Sequence, residues 1–240
     1  MDEEYKRFVR ENLGGVRARI RAAKGAEGSA DDVVLVAATK GVFAEAINYA
    51  HRDLGLDYIG ENKAQELISK YPELDKQGLH IHFIGHLQTN KVRQIIDKVE
   101  MIHSLDSVSL AREIDKRAGA IGKCMPVLVE INIAREAEKS GVFPENTEDF
   151  IREVSGLASI HVAGLMTMAP AGSTEDEYIR YFTEVKKMSE HIDSLGIPGV
   201  EMKTVSMGMS DSYETAVSCG ATMVRVGSAI FGKRFYQSQA

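Results

Sequence analysis

The sequence predicts a (β/α)8 barrel of the TIM type, an α/β fold, with one extra helix ahead of its first strand. Three observations carry this expectation. Short apolar runs alternate with longer amphipathic segments about eight times, the count of such a barrel. The length, 240 residues, is what a barrel routinely needs as one domain, so residues 1–240 read as a single unit. Little chain follows the last strand-like run, while a long helical segment, Glu3–Lys24, precedes the first. That segment is expected to cover the wall that a missing last helix would leave open. An open doubly wound sheet competes, because counting strands does not prove closure.

The strand-like runs are 33–40, 58–60, 81–85, 101–104, 127–133, 161–166, 203–206 and 223–226. Most are β-branched or continuously apolar, as parallel strands covered on both faces should be. Helical segments lie between them. Residues 43–54 keep Ala46, Ile47, Ala50 and Leu54 on one face. Residues 63–70 follow Asn62, which reads best as their cap. Residues 107–117 start at a small polar cap after Asp106, 145–156 follow Pro144, and 175–195 follow Ser173-Thr174. No linker or low-complexity stretch divides the chain.

Composition narrows the function. The net charge is −6 and no basic stripe is present, which argues against a nucleic-acid partner. No segment is long and apolar enough to span a bilayer, so no membrane partner is expected. The charged start Met1-Asp2-Glu3-Glu4-Tyr5-Lys6-Arg7 is unlike a signal peptide. Cys124 and Cys219 fit no metal or redox spacing, and the cytoplasm is the expected compartment.

The chemistry is expected at the strand ends. Val36, Ala38 and Lys40 share one face by the two-residue period. If that face is the barrel interior, Lys40 sits at the C-terminal mouth, where barrel enzymes place their chemistry. Desolvation and nearby positive charge there favour the neutral amine that attacks aldehydes. The plain alternative is a solvated lysine. On the last strand, Met223, Arg225 and Gly227 share a face. An inward arginine needs an acceptor, either a pyridine nitrogen or a carboxylate such as Glu130 or Glu201. Gly227-Ser228 then opens a short segment, 229–232, suited to phosphate, with 206–210 after the seventh strand beside it. The glycines could equally serve turn geometry, and Ser210 a helix cap. Lysine and phosphate turn together suggest a phosphorylated aldehyde, with pyridoxal 5′-phosphate (PLP) the obvious candidate. Asn62 could touch a cofactor hydroxyl in place of capping. His80, His82 and His86 share one parity, but no carboxylate motif completes a zinc set and no metal is expected.

These segments resemble a known family. They are His82-Phe83-Ile84-Gly85-His86-Leu87-Gln88-Thr89-Asn90-Lys91, Gly60-Glu61-Asn62, residues 136–141 around Lys139-Ser140-Gly141, and Gly164-Leu165-Met166. Most specific are Ser206-Met207-Gly208-Met209-Ser210-Asp211 and Arg225-Val226-Gly227-Ser228-Ala229-Ile230-Phe231-Gly232. In order and spacing, from about Val33 to Arg234, the chain resembles the pyridoxal phosphate homeostasis protein family. The resemblance implies a barrel similar to the N-terminal domain of alanine racemase, with PLP held as a Schiff base. By position it implies Lys40 as the Schiff-base lysine, Arg225 facing the pyridine nitrogen, Ser206, Gly227 and Ser228 on the phosphate, and Asn62 near the ring. One departure is Gly41-Val42-Phe43 after the lysine, where the family usually has a Thr-Lys or similar pair.

The expected function is a carrier that buffers PLP or hands it to apo PLP-dependent enzymes, with no catalytic residue of its own. A racemase-like PLP enzyme is the alternative. Arginine against the pyridine nitrogen weakens the ring as an electron sink, which leaves racemisation the best enzymatic option. Two-base racemisation needs a second acid/base opposite the lysine, with His82, His86 and the tyrosines as candidates. A Schiff-base aldolase shares the lysine and phosphate site but not the terminal motifs.

Overall fold

Eight parallel strands close into a barrel in sequence order. The computed structural model describes residues 1–25 and 33–232, so the far end of the resemblance, at Arg234, lies outside the described residues. The strands are β1 Val34–Ala38, β2 Tyr58–Glu61, β3 His80–Phe83, β4 Met101–Leu105, β5 Met125–Ile131, β6 Ile160–Thr167, β7 Val200–Ser206 and β8 Met223–Val226. Each expected run becomes a strand, and the open sheet is ruled out by the pairing of β1 with β8, Val34 opposite Met223 and Val36 opposite Arg225. The expected run 33–40 is cut short at Ala38. Thr39, Lys40 and Gly41 turn away, with Val42 N–H donating to Thr39 O (3.0 Å) and Gly41 at φ 75°. A positive φ suits glycine, which accounts for Gly41 after the lysine.

The helices α1 Glu3–Lys24, α2 Ala44–Leu54, α3 Ala64–Lys70, α4 Val92–Ile95, α5 Val108–Ala120, α6 Thr147–Val154, α7 Glu175–Ser194, α8 Tyr213–Ser218 and α9 Ser228–Phe231 form the outer ring. Local chemistry sets their starts. Asp2 accepts from Tyr5 N–H, Ser107 from Leu110 N–H, and Thr174 with Glu177 makes a capping box. Pro144 opens a 3-10 turn, Pro144–Asn146, that leads into α6, so the expected 145–156 helix starts later. Helix α1 buries Val9, Leu13, Val16 and Ile20, one face at helical spacing. It covers the wall where β8 meets β1, as expected. Tyr5 Oη donates to Phe231 O (3.0 Å), Asn12 Nδ2 to Ile230 O (3.2 Å) and Arg17 Nη1 to Leu54 O (2.7 Å). No helix among the described residues is long and apolar enough to cross a membrane.

The main core lies between strands and helices. Inside the barrel there are two small apolar groups. One gathers Val36, Ile84 and Met223; the other gathers Leu128, Ala163 and Met166. His82, His103, Glu130, Ser206 and Arg225 are also buried. Polar groups there need partners, and they are the raw material of the site.

One glycine fixes the shape of the wall. Gly164 sits where the β6–β7 register shifts, at φ 151°, and a Cβ there would lie 1.8 Å from Thr204 O. Gly164→Ala must strain this backbone or push β7 away, at a cost of about 3 kcal/mol or more. Urea unfolding that leaves the midpoint unchanged would contradict the close approach.

Candidate functional site

A cleft of about 1210 Å³ opens beside Lys40, which follows β1, and Arg225, which lies within β8, at the closing seam of the barrel. Lys40, Asn62, Arg225, Gly227 and Ser228 all line it, as does Ser210. Five of the six residues singled out from sequence are therefore brought together. Ser206 is the exception: it is fully buried and does not line the cleft. The volume exceeds the ~300–1,000 Å³ usual for small-ligand pockets.

Each side chain has a local cause. Lys40 stands in the turn after β1, and among the described residues no hydrogen bond or ion pair engages its ammonium. Asn62 follows β2 but does not cap α3. The N-cap is Lys63, with no side-chain cap bond, so the capping role expected from sequence is corrected and Asn62 faces the cleft. Gly227 passes so close to β1 that a Cβ would lie 2.8 Å from Ala38 O, and only bare backbone fits there. Ser228 Oγ donates to Ser210 Oγ (3.0 Å), which also accepts from Ala229 N–H (3.3 Å). Ser210 thus caps the four-residue α9 while lining the cleft.

Arg225 is 3 % exposed and, among the described residues, has no carboxylate in contact. Its Nη1 donates to Ser206 Oγ (2.6 Å) and its Nη2 to Thr167 O (2.9 Å), which leaves Nε without a protein acceptor among the described residues. The salt bridges to Glu130 or Glu201 considered from sequence do not form; Glu201 pairs instead with Lys203 (2.7 Å). Behind Ser206 the bonds continue, from Ser206 Oγ to His103 Nδ1 (3.3 Å) and from His103 Nε2 to His82 Nδ1 (3.0 Å). A guanidinium only donates, so Ser206 Oγ accepts from Arg225, and the two contacts behind it join Ser206 to His103 and His103 to His82. Both rings are neutral. Burial pushes His82 down to about 4, and burial together with His82 and Arg225 pushes His103 well below the ordinary histidine value. Burial also lowers Arg225 to about 10, against the pull of Glu130. Glu130 is raised to about 7 by burial and then by Asp106, with Arg225 opposing.

The other histidines do not assemble. His80 stacks on Tyr58 and pairs with Glu100, and His86 sits against Asp106 and Ser140. Among the described residues no group of histidine, cysteine and carboxylate side chains could hold a metal. The 136–141 segment folds around Asn132, which bonds Glu136 and Lys139, and does not reach the cleft.

Residues 12–234 match the family described as the alanine racemase N-terminal domain. The pyridoxal phosphate homeostasis protein of Aquifex aeolicus is 38 % identical over 227 residues, 94 % of this chain and 98 % of that protein. The protein of the same name from Escherichia coli K12 is 36 % identical over 235 residues, 96 % of this chain and 99 % of that one. The chain belongs to the pyridoxal phosphate homeostasis protein family. PipY of Synechococcus elongatus, solved with PLP bound, is 31 % identical with a TM-score of 0.82, covering 93 % of this chain and all (100 %) of that one. An alanine racemase of Clostridium difficile shares the fold at 20 % identity and a TM-score of 0.73; the match covers 97 % of this chain and 58 % of that enzyme.

The relay to His103 and the carbonyl of Thr167 were not anticipated. Parity offered one clue: His103 lies between Met101 and Leu105 on a short apolar strand, where a polar side chain needs a partner. The relay makes stability depend on pH. Between the ordinary histidine value of 6.5 and about 4, the unfolded chain takes up protons that folded His82 and His103 refuse, so stability falls as pH falls through that window. Glu130 opposes this: folded, it keeps its proton up to about 7, whereas unfolded it ionises above 4.5, so its share falls as pH rises. Two histidines outweigh one carboxyl. His82→Gln should therefore lose less melting temperature than the parent between about pH 7 and about pH 5. Parallel slopes in a pH series of thermal melts would refute the neutral relay.

Proposed function

We propose that this chain acts as one PLP-binding barrel of the cytoplasm. It holds the cofactor through Lys40 and buffers it or passes it to apo PLP-dependent enzymes. The observation that carries this is the pair of unsatisfied donors at one cleft. Among the described residues Lys40 has an amine without a partner and Arg225 an Nε without an acceptor. A ligand with an aldehyde and a ring nitrogen acceptor fits that pair. When bound, PLP supplies an aldehyde that an amine can capture and a ring that can take up charge.

The chain's own residues divide the work. Lys40 offers the amine for the Schiff base. Arg225 donates to the ring nitrogen and, being unable to accept a proton from it, holds it as an acceptor. Asn62 lies beside the ring. Gly227 and Ser228 take the phosphate with backbone and hydroxyl donors. Ser210, which lines the cleft, joins them, whereas Ser206 acts from beneath by holding Arg225.

Storage is favoured over turnover by what the cleft lacks. Among the described residues no histidine lines it, and the tyrosine that does, Tyr5, donates its hydroxyl to Phe231 O. Two-base racemisation finds neither a histidine nor a tyrosine with an uncommitted hydroxyl there among the described residues. The names of the relatives, homeostasis proteins and not enzymes, support the same reading.

Lys40→Ala should abolish visible Schiff-base absorbance and the borohydride-trapped adduct, while some PLP stays bound through its phosphate. Mass spectrometry that places the reduced adduct on another lysine would overturn the assignment. Replacing Gly227 by a bulky residue should weaken PLP far more than pyridoxal, since charge-assisted bonds contribute roughly 1.5–3 kcal/mol each. Equal loss for both would move the phosphate elsewhere. Incubation of the loaded protein with L-amino acids should yield no D-enantiomer, and mixing with an apo PLP enzyme should restore that enzyme's activity. Racemisation at about 1–1,000 per second would replace storage with catalysis.

A further inference from the structure

Three charged side chains beneath Lys40 have no part in the proposed binding set. Lys70, at the end of α3, donates from Nζ to Glu61 Oε1 (2.9 Å), Glu66 Oε1 (2.7 Å) and Thr39 O (2.7 Å). An ammonium has three protons, and these contacts use them all. Glu61, the last residue of β2, is wholly buried, and its Oε1 also accepts from Thr39 Oγ1 (2.6 Å). Glu66 Oε1 also accepts from Gly41 N–H (2.5 Å). The chain is thus tied on both sides of Lys40 to one triad: Thr39 through its hydroxyl and carbonyl, Gly41 through its amide.

Packing alone does not call for such a group. Burial raises the Glu61 carboxyl against the pull of Lys70, and its Oε2 has no partner. Apolar side chains of similar volume often stabilise a fold as well as a buried ion group does. What apolar side chains cannot do is bond the polar backbone groups that flank one lysine. The triad does this at the end of β1, where the last backbone bond to β2 is Thr39 N–H to Gly60 O (3.0 Å) and none follows from Lys40 or Gly41 among the described residues.

We infer that Glu61, Lys70 and Glu66 are positioning residues for Lys40, holding its backbone so that its amine meets the aldehyde of the cofactor. This rests on the Schiff-base role proposed for Lys40. In that condensation the neutral amine adds to the aldehyde carbon. The two amine protons and the aldehyde oxygen then leave as water while the C=N bond forms. Confining the amine beside the carbon favours this step through the orientational freedom already lost. Among the described residues no hydrogen bond joins the triad to Asn62, Arg225, Gly227 or Ser228, so its contribution is assigned to the covalent link.

Pyridoxamine 5′-phosphate separates the two effects, because it keeps the ring and phosphate and has an amine in place of the aldehyde. Lys70→Met should raise the dissociation constant of PLP about tenfold or more and lower the yield of borohydride-trapped Lys40. It should leave the constant for pyridoxamine phosphate unchanged. Glu66→Ala, at the edge of the cleft, removes the tie to Gly41 and one acceptor of Lys70. It should act in the same direction, by about threefold to tenfold, and it keeps the test decisive if Lys70→Met does not fold. Equal weakening of both ligands, or an unchanged preference for PLP in a folded variant, overturns the inference. A parent protein in which borohydride traps no cofactor on Lys40 overturns the Schiff-base role itself, and the parent is measured first.

Discussion

A guanidinium inside a closed barrel sets the terms for everything around it. Arg225 cannot shed its charge at ordinary pH and is almost out of reach of water. No carboxylate among the described residues touches it. Its charge is spread instead over a hydroxyl, a carbonyl and the two neutral rings behind that hydroxyl. Because the arginine can only donate, Ser206 Oγ accepts from it. A buried hydrogen-bonded network stiffens the structure around it. The arginine therefore faces the cleft as a fixed donor.

Much of this was legible in the sequence. Eight apolar runs with turn residues between them prescribe the strands, and the long first helix announces itself by Val9, Leu13, Val16 and Ile20. Lys40 and Arg225 could be placed on inward parity because a strand alternates strictly. Parity does not reveal which residues from distant strands meet, and so the sequence could not show that Ser206 serves the arginine and not the cleft. Asn62 failed as a cap for a related reason. Cap preference is a local statement, and the path of the chain into α3 is set by the packing of Ala64 and Leu67. The Glu61–Lys70–Glu66 group left a faint trace, Glu66 and Lys70 at i,i+4, which ordinarily marks nothing more than a solvated helix face.

Two rigid devices frame the cleft from opposite sides of one seam. On β8, the relay behind Arg225 fixes a donor. After β1, the charged triad fixes the turn that carries the amine. Between them Gly227 lies against Ala38, so the two strands approach more closely than side chains would allow. The parts that would face a ligand are bare backbone, short hydroxyls and two cations. Phe43, Met168 and Met209, large apolar residues left exposed, stand on the lining of the same cleft.

The bond from Tyr5 to Phe231 joins residues 226 positions apart, and it lies against the turn that follows Gly227. Until the last strand is laid down next to the first, neither the seam nor the helix beyond it exists. A cleft built from both β1 and β8 is thus completed only with the last strand, so whatever it holds depends on the two ends of the chain having met.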